Sequence, residues 1–140
     1  MKAPICVITG VGPGTGAALV RQFSERYRVV MLARNVERLQ ELAREVPGSV
    51  ALVCDVADAD ALQCAMADIL LLGTPRVLIH NAVGGGPGDV LTLDPALLER
   101  NFQINTMALL HLMQTFGPKM IAAGEGTILA TGNTAAYRGR

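Results

Sequence analysis

The sequence predicts one α/β domain built on an open, doubly wound parallel sheet. Five short apolar runs are continuous rather than alternating, which is typical of strands that bury both faces. The segments between them repeat apolar residues at spacings of three and four, which indicates helices. With 140 residues, 51% of them hydrophobic and 17% charged, the chain is long enough for a single core and too apolar to be disordered.

Strands and helices alternate along residues 1–140. The predicted strands are Ile5–Thr9, Val29–Ala33, Val50–Cys54, Val77–His80 and Thr127–Thr131. Helical spacing appears after the first three strands, at Ala17, Val20 and Phe23, at Val36, Leu39, Leu42, Ala43 and Val46, and at Leu62, Ala65, Ile69 and Leu70. Because crossovers between parallel strands are right-handed, this order predicts helices on both faces of the sheet.

Helix starts are marked by residues whose side chains cap free backbone N–H groups. Asn35 is the predicted cap of the second helix and Asp58 that of the third, while Asp94 precedes a proline at the first helical position. The last helical stretch, residues 94–123, is long and is expected to break in two. Gly117-Pro118 lies inside it and is expected to kink its second half.

Composition excludes several classes of protein. Twelve basic and twelve acidic residues balance, which argues against a nucleic-acid partner bound through a broad basic face. No apolar stretch approaches the ~20 residues of a membrane span, and the apolar run near the N terminus is too short for a signal peptide. Cys6, Cys54 and Cys64 lie in apolar runs and are expected to be reduced core residues of a cytoplasmic protein.

A glycine-rich segment, residues 9–16, follows the first strand and opens the first helix. Glycines there let the backbone turn sharply and approach a phosphate, and the helix N terminus adds a positive dipole end. Two patterns fit the sequence. One is Gly12-x-Gly14-x-x-Ala17, and the other is Thr9-Gly10-x-x-x-Gly14-x-Gly16. Either predicts a dinucleotide-binding loop.

Four further motifs follow this loop in a fixed order. They are Asp55-Val56 after the third strand, Asn81-Ala82 after the fourth, Asn105 on the long helix, and Gly126-Thr127-Ile128-Leu129 in the fifth strand. Together with the second pattern of the loop, they resemble the short-chain dehydrogenase/reductase family over nearly the whole chain. The family's Asn-Asn-Ala-Gly motif reads His80-Asn81-Ala82-Val83 here, a departure at two of its four places.

The resemblance implies a Rossmann-type sheet, truncated after its fifth strand, that binds a nicotinamide dinucleotide. The residues that it implies for cofactor binding are Gly10, Pro13, Gly14, Thr15, Gly16, Arg34, Asp55, Val56, Asn81 and Ala82. In such sites an acidic residue after the second strand accepts the ribose 2′-OH, and an arginine accommodates a 2′-phosphate. Ala33 and Arg34 stand there, which favours NADP over NAD. Pro13 occupies the loop position where a second basic residue is usual.

The resemblance also implies a catalytic tetrad, of which only Asn105 has a clear match. The serine position falls on Asn133, and Thr134 could substitute if the loop shifts by one residue. Tyr137 lies too close to the fifth strand to be the catalytic tyrosine, and no lysine follows it. His80 and His111 have no metal-ligand spacing and are expected in the core or on a helix face.

Two functions remain open at this stage. The first is an NADP-dependent oxidoreductase that transfers hydride to or from a small carbonyl or alcohol, seen through its cofactor-binding half. The second is a catalytically silent nucleotide-binding or regulatory module. A flavodoxin-like or receiver-like domain is disfavoured by the glycine loop. Whether the chain is a natural fragment or a truncated form stays open.

The sequence also predicts self-association. An apolar face recurs on the long helix, and the fifth strand is expected to be an open edge. The face comprises Leu109, Leu112, Met113, Phe116 and Met120. If this face is exposed, it favours the formation of a homodimer or homotetramer. The alternative is that the face turns inward and covers the sheet.

Overall fold

The structure, a computed structural model, describes residues 2–138. Met1, Gly139 and Arg140, which belong to the predicted domain, lie outside the described residues. The strands are β1 (Ile5–Thr9), β2 (Arg28–Ala33), β3 (Val50–Val53), β4 (Pro75–His80) and β5 (Thr127–Ala130). They form one parallel sheet in the order β3-β2-β1-β4-β5. The predicted doubly wound fold is confirmed, and the chain changes direction across the sheet between β1 and β4.

Five α-helices connect or follow these strands. They are α1 (Thr15–Ser24), α2 (Val36–Glu45), α3 (Ala59–Leu72), α4 (Pro95–Phe102) and α5 (Ala108–Ala123). Alternate residues of β1 enter two separate apolar clusters. Ile5 and Val7 pack in the cluster that contains buried residues of α3 and α5, while Cys6 and Ile8 pack in the cluster that contains α1 and α2. Burial on both faces explains why the strands are continuously apolar.

The predicted helix caps are confirmed. The Asn35 side chain accepts the Arg38 N–H at 2.9 Å, and Asp58 accepts two first-turn N–H groups of α3 at 3.0 Å. Asp94 accepts the Ala96 N–H at 3.0 Å, with a proline in the first turn. These caps satisfy donors that have no partner inside a helix.

The long helical stretch breaks in two, as expected, and the break lies N-terminal to Gly117-Pro118, the position of the expected kink. The interruption is a π-helical turn over Gln103–Met107, and α5 runs without a break through Pro118. The proline removes one backbone donor from α5. Leu112, Phe116 and Met120 are buried on both sides of it, so packing on the sheet holds the helix together there.

The apolar face of the long helix is divided rather than exposed. Leu112, Phe116 and Met120 turn inward and join the core cluster beneath α5, whereas Met113 is 43% exposed. The expectation that all five side chains form an unpartnered face is therefore wrong. Leu112, Phe116 and Met120 follow one another at i, i+4 spacing on the sheet side of the helix, whereas Leu109 and Met113 have the same spacing on a row that is turned away from it. β5 lies at the sheet edge, as predicted.

Two of the three cysteines are core residues. Cys6 and Cys54 are buried, but Cys64 is exposed on α3, which corrects the expectation for that residue. Burial raises the pKa of the Cys6 thiol to about 12. Burial, with smaller contributions from Asp55 and Asp58, raises the pKa of Cys54 to about 11. Both buried thiols stay protonated at neutral pH and lack the thiolate needed for reactivity.

We expect Leu112→Ala to lower the free energy of unfolding by about 2–5 kcal/mol, because it leaves a cavity under α5. Leu110→Ala is the matched control, since Leu110 lies on the same helix and is 43% exposed; it should cost well under half as much. Urea unfolding followed by circular dichroism measures both. Equal losses for the two variants would contradict an inward-facing α5.

Candidate functional site

An open cleft of about 1040 Å³ lies at the carboxyl ends of the strands, where β1 and β4 are neighbours. Ligands of doubly wound sheets bind at this kind of switch point. All ten residues predicted to bind a cofactor line the cleft, and so does Asn105. Asn133, at the expected serine position, also lines the cleft, whereas Thr134 does not. The structure adds Arg38, His80 and Thr131, which sequence reasoning did not place in the site.

The glycine loop is shaped by two close approaches. Gly10 has a φ of +68°, and a Cβ there would overlap the backbone of Ala82. A Cβ on Gly16 would lie 2.6 Å from the Gly10 carbonyl oxygen. Gly12 and Gly14 meet nothing within 4 Å. Gly10 therefore brings the loop against the residues that follow β4, Gly16 lets the loop fold onto itself, and Gly12 and Gly14 leave its outer surface open to a ligand.

The end of the loop is the start of α1. Gly14 is its N-cap residue, no side chain caps the helix, and its first turn contains no acidic residue. The first-turn N–H groups and the positive dipole end therefore lie at the cleft without an internal anion. This arrangement suits a phosphate group.

Hydrogen bonds join the ends of β1 and β4 below the loop. The Thr9 hydroxyl oxygen accepts the N–H groups of Asn81 and Ala82, both at 3.2 Å, and lies 2.9 Å from His80 Nδ1. Asn81 Nδ2 donates to the Gly10 carbonyl at 3.0 Å, and Asn81 Oδ1 accepts from the Thr131 hydroxyl at 3.0 Å. The Asn81 side chain thus joins the glycine loop to the residue that follows β5.

The end of β2 carries positive charge. Ala33 stands where an acid would bind a ribose 2′-OH, and Arg34 follows it into the cleft. Arg38 lines the same cleft from the first turn of α2, whose N terminus is capped by Asn35. Among residues 2–138, neither arginine forms a salt bridge. The signal that could have found Arg38 is the cap at Asn35, since it places the third residue after it in the first helical turn.

Asp55 follows β3 and is held by two donors. Arg100 of α4 donates to Oδ2 at 2.9 Å, and the Ala57 N–H donates to Oδ1 at 3.0 Å. Partial burial is the largest single influence on the pKa of Asp55 and favours the neutral acid, but these two donors and the charge of Arg34 outweigh it. The pKa of Asp55 therefore lies below its ordinary value, and the carboxylate is ionised at neutral pH.

Asn105 lies in the π-helical turn between α4 and α5. Its Oδ1 accepts the Gly84 N–H at 2.8 Å, and its Nδ2 donates to the Gly84 carbonyl at 2.9 Å. A Cβ on Gly84 would lie 2.8 Å from Asn101 Oδ1. The close approach in this loop thus occurs at Gly84, one residue after Val83, and the Val83 side chain is exposed.

The expected serine position is occupied by a capping asparagine. Asn133 lines the cleft, and its Oδ1 accepts the Ala135 N–H at 2.9 Å at the start of a short 3₁₀ turn, Thr134–Ala136. Tyr137, after that turn, is 93% exposed. Within the described part of the chain, no group of three or more His, Cys, Asp or Glu side chains is placed to hold a metal ion.

Comparison with known proteins agrees with this geometry. A family model described as short chain dehydrogenase matches residues 4–140. The chain belongs to this family. It is 34% identical over 134 residues to D-erythrulose reductase of Gallus gallus, covering 94% of this chain and 53% of that protein. It is 29% identical to galactitol 2-dehydrogenase (L-tagatose-forming) of Cereibacter sphaeroides, covering 90% of this chain and 51% of that protein.

Solved structures of the short-chain dehydrogenase family share the fold. A metagenomic short-chain oxidoreductase in complex with NADP superposes with a TM-score of 0.82 at 33% identity, covering 92% of this chain and 62% of that one. A 3-ketoacyl-(acyl-carrier-protein) reductase from Brucella melitensis, complexed with NADH, has a TM-score of 0.89 at 22% identity, covering 99% and 61%. The homologous proteins are named reductases and dehydrogenases.

The chain spans about half the length of the curated relatives that it matches. Over residues 2–138, none of the helices combines the length and the apolar character needed to cross a bilayer.

The buried His80 makes the stability of the fold depend on pH. Burial lowers the pKa of His80, and the hydrogen bond to the Ile104 carbonyl opposes this only in part. A histidine has a pKa of about 6.5 in an unfolded chain. Below that value the unfolded state takes up a proton that the folded state refuses, so the stability contributed by neutral His80 is complete above about pH 6.5 and is lost as the pH falls below it.

We therefore expect the free energy of unfolding to fall between about pH 7 and pH 5.5, by at most ~1.4 kcal/mol per pH unit for one proton. Urea titrations at several pH values measure this slope. The variant His80→Gln has no titrating group at this position and should show a smaller slope. An unchanged slope in the variant would mean that the pH dependence arises elsewhere.

Proposed function

We propose that the chain is the NADP(H)-binding half of a short-chain oxidoreductase that acts on a small carbonyl or alcohol. One observation carries the choice of nucleotide: Arg34 and Arg38 line the same cleft as the glycine loop, with Ala33 in place of an acid. Among residues 2–138 neither guanidinium group is in a salt bridge; such groups suit a 2′-phosphate, which a carboxylate in place of Ala33 would repel.

The remaining groups fit the other parts of the dinucleotide. The uncapped start of α1 and the open surface at Gly12 and Gly14 suit the pyrophosphate. Asp55 would receive the adenine end, as the family resemblance implies. Each of its oxygens already accepts one hydrogen bond, yet a carboxylate offers about four acceptor positions, so it can take a further donor.

NADP(H), when bound, supplies or accepts the hydride. In the family resemblance, an asparagine holds a water molecule in the proton relay. Each side-chain atom of Asn105 makes one hydrogen bond to Gly84, which leaves a second lone pair on Oδ1 and a second hydrogen on Nδ2 for that water. The bonds to Gly84 keep the 83–84 loop beside the cleft.

The substrate class rests on the relatives. Their names refer to erythrulose, galactitol and xylulose, which are small polyhydroxylated carbonyl compounds or alcohols. The substrate of this chain is proposed to be a small molecule of the carbonyl or alcohol class.

A catalytically silent nucleotide-binding module is the second candidate. It is favoured by Asn133, which stands at the expected serine position and spends its side-chain oxygen on a backbone cap. Asn133 therefore supplies no hydroxyl group at the expected serine position. Both candidates require the same nucleotide cleft, and they differ only in whether a full-length form completes a proton relay.

We also propose a cytoplasmic location and a homo-oligomeric state. The free cysteines, two of them buried, fit a reducing cytoplasm. A homodimer or homotetramer is supported by the edge position of β5, where Leu129 is exposed, and by the exposed Leu110, Met113 and Ile121 of α5. Exposed strand edges and apolar side chains favour association.

Cofactor titration tests the proposed nucleotide. We expect the chain to bind NADP more tightly than NAD in calorimetric titrations. Arg34→Ala should weaken NADP by roughly 10- to 150-fold, because it removes a charge-assisted phosphate contact worth about 1.5–3 kcal/mol. The affinity for NAD should change little.

Arg38→Ala should act in the same direction. Arg44→Ala is the matched control, since Arg44 is exposed on the same helix as Arg38 but does not line the cleft. It changes the net charge equally and should leave both affinities unchanged. Equal or tighter binding of NAD by the unaltered chain would overturn the NADP proposal.

We expect the isolated chain to bind nucleotide without transferring hydride. Proton transfer needs a tyrosine whose pKa is lowered by a neighbouring cation, and Tyr137 points to solvent at 93% exposure. Absorbance of NADPH in the presence of small ketones and ketoses measures turnover. Activity that disappears in Tyr137→Phe would show that this tyrosine is catalytic after all.

A further inference from the structure

His80 is the most deeply buried titratable group beside the cleft, at 3% exposure. It ends β4 and stands between β1 and the junction of α4 with α5. Both ring nitrogens have partners: Nδ1 lies 2.9 Å from the Thr9 hydroxyl, and Nε2 lies 2.9 Å from the Ile104 carbonyl oxygen. Neither the glycine-loop geometry nor the proposed relay accounts for a histidine here.

The partners determine which nitrogen carries the proton. A carbonyl oxygen only accepts, so Nε2–H donates to Ile104, and Nδ1 of the neutral ring is the acceptor. The Thr9 hydroxyl must then donate to Nδ1. Its oxygen keeps two lone pairs, and these accept the N–H groups of Asn81 and Ala82. Every hydrogen-bonding position of this cluster is used once, in one direction.

The bond to Ile104 explains how the π-helical turn is stabilised. In an α-helix the Ala108 N–H would bond to the Ile104 carbonyl, four residues earlier. Here it bonds instead to the Gln103 carbonyl. The Ala108 N–H thus bypasses the Ile104 carbonyl, which accepts the imidazole N–H of His80. Asn105 is the next residue, with its side chain bonded to Gly84.

We propose that His80 is a positioning residue that holds both halves of the site with one neutral imidazole. Through Thr9 it holds the start of the glycine loop, and through Ile104 it holds the turn that carries Asn105. The inference rests on the proposed nucleotide site for its functional meaning, but it does not depend on which nucleotide binds.

Two substitutions of His80 each retain only one of its two hydrogen bonds. The amide of His80→Asn reaches the position of Nδ1, so it can still accept from Thr9, but it is too short for Ile104. The amide of His80→Gln reaches the position of Nε2, so it can still donate to Ile104, but it leaves Thr9 without its acceptor. If His80 only filled space, the two variants would perturb the same residues.

Two amide protons of the nucleotide-free chain report the two sides separately. The Gly84 N–H bonds to Asn105 and reports the turn, while the Ala82 N–H bonds to Thr9 and reports the strand. In proton–nitrogen correlation spectra, we expect His80→Asn to shift the Gly84 signal upfield, as its hydrogen bond weakens, and to leave Ala82 in place. His80→Gln should do the reverse.

The imidazole itself supplies a second readout. Nitrogen spectra of the ring in the unaltered chain should show a protonated Nε2 and a bare Nδ1 at neutral pH. In titrations with NADP, His80→Gln should weaken binding by about tenfold, the equivalent of one hydrogen bond that orders the loop. His80→Asn should retain the affinity, since it keeps the hold on Thr9.

Thr9→Val is the positive control for the Ala82 reporter, because it removes the hydroxyl group to which the Ala82 N–H bonds. It should reproduce the Ala82 shift of His80→Gln. Thr127→Val, the same change on the exposed strand β5, is the control and should shift neither reporter. A protonated Nδ1, or equal shifts of both reporters in both histidine variants, would overturn the proposal.

The two proposals fail in different ways. If the unaltered chain binds neither NADP nor NAD, the proposed function fails, while the two amide reporters still test His80. If the chain binds NADP and both histidine variants match it in affinity and in both reporters, the role of His80 fails alone.

Discussion

The site depends on the close approach of the glycine loop to the end of β4. Gly10 turns back with a positive φ and brings its backbone against Ala82, at a distance that leaves no room for a Cβ. β1 and β4 are adjacent parallel strands, so their following segments leave the sheet on opposite faces and open a crevice between them. A side chain at residue 10 would force these strands apart and remove the crevice.

The buried groups next to the contact between Gly10 and Ala82 are polar but uncharged. Thr9, His80 and Asn81 satisfy one another and nearby backbone groups, and no buried side-chain nitrogen or oxygen of residues 2–138 lacks a partner. Neutral hydrogen-bonded groups avoid the large desolvation penalty that a buried charge carries. Each donor also has one acceptor available, so the cluster specifies a single arrangement of the strand ends.

Charge is confined to the rim of the cleft. Arg34 and Arg38 stand at the end of β2, and the Asp55–Arg100 pair ties the end of β3 to α4. The pair is partly exposed, so its energetic contribution is small, and its main effect is to orient the Asp55 carboxylate. The positive residues attract an anionic part of the ligand to one end of the crevice. The other end is lined by uncharged groups.

The sequence alone determined the strands, the caps at Asn35, Asp58 and Asp94, and the set of candidate cofactor residues. Hydrophobic period and capping are local properties, whereas the candidate cofactor residues were assigned from motifs that resemble those of the short-chain dehydrogenase/reductase family. Only the tertiary structure decided the position of the helix break, the burial of the α5 face and the hydrogen bonds of His80. The pairs concerned lie 71 and 24 residues apart, Thr9 with His80 and His80 with Ile104. No periodicity encodes such contacts, because they depend on how strands and helices pack once the sheet has formed.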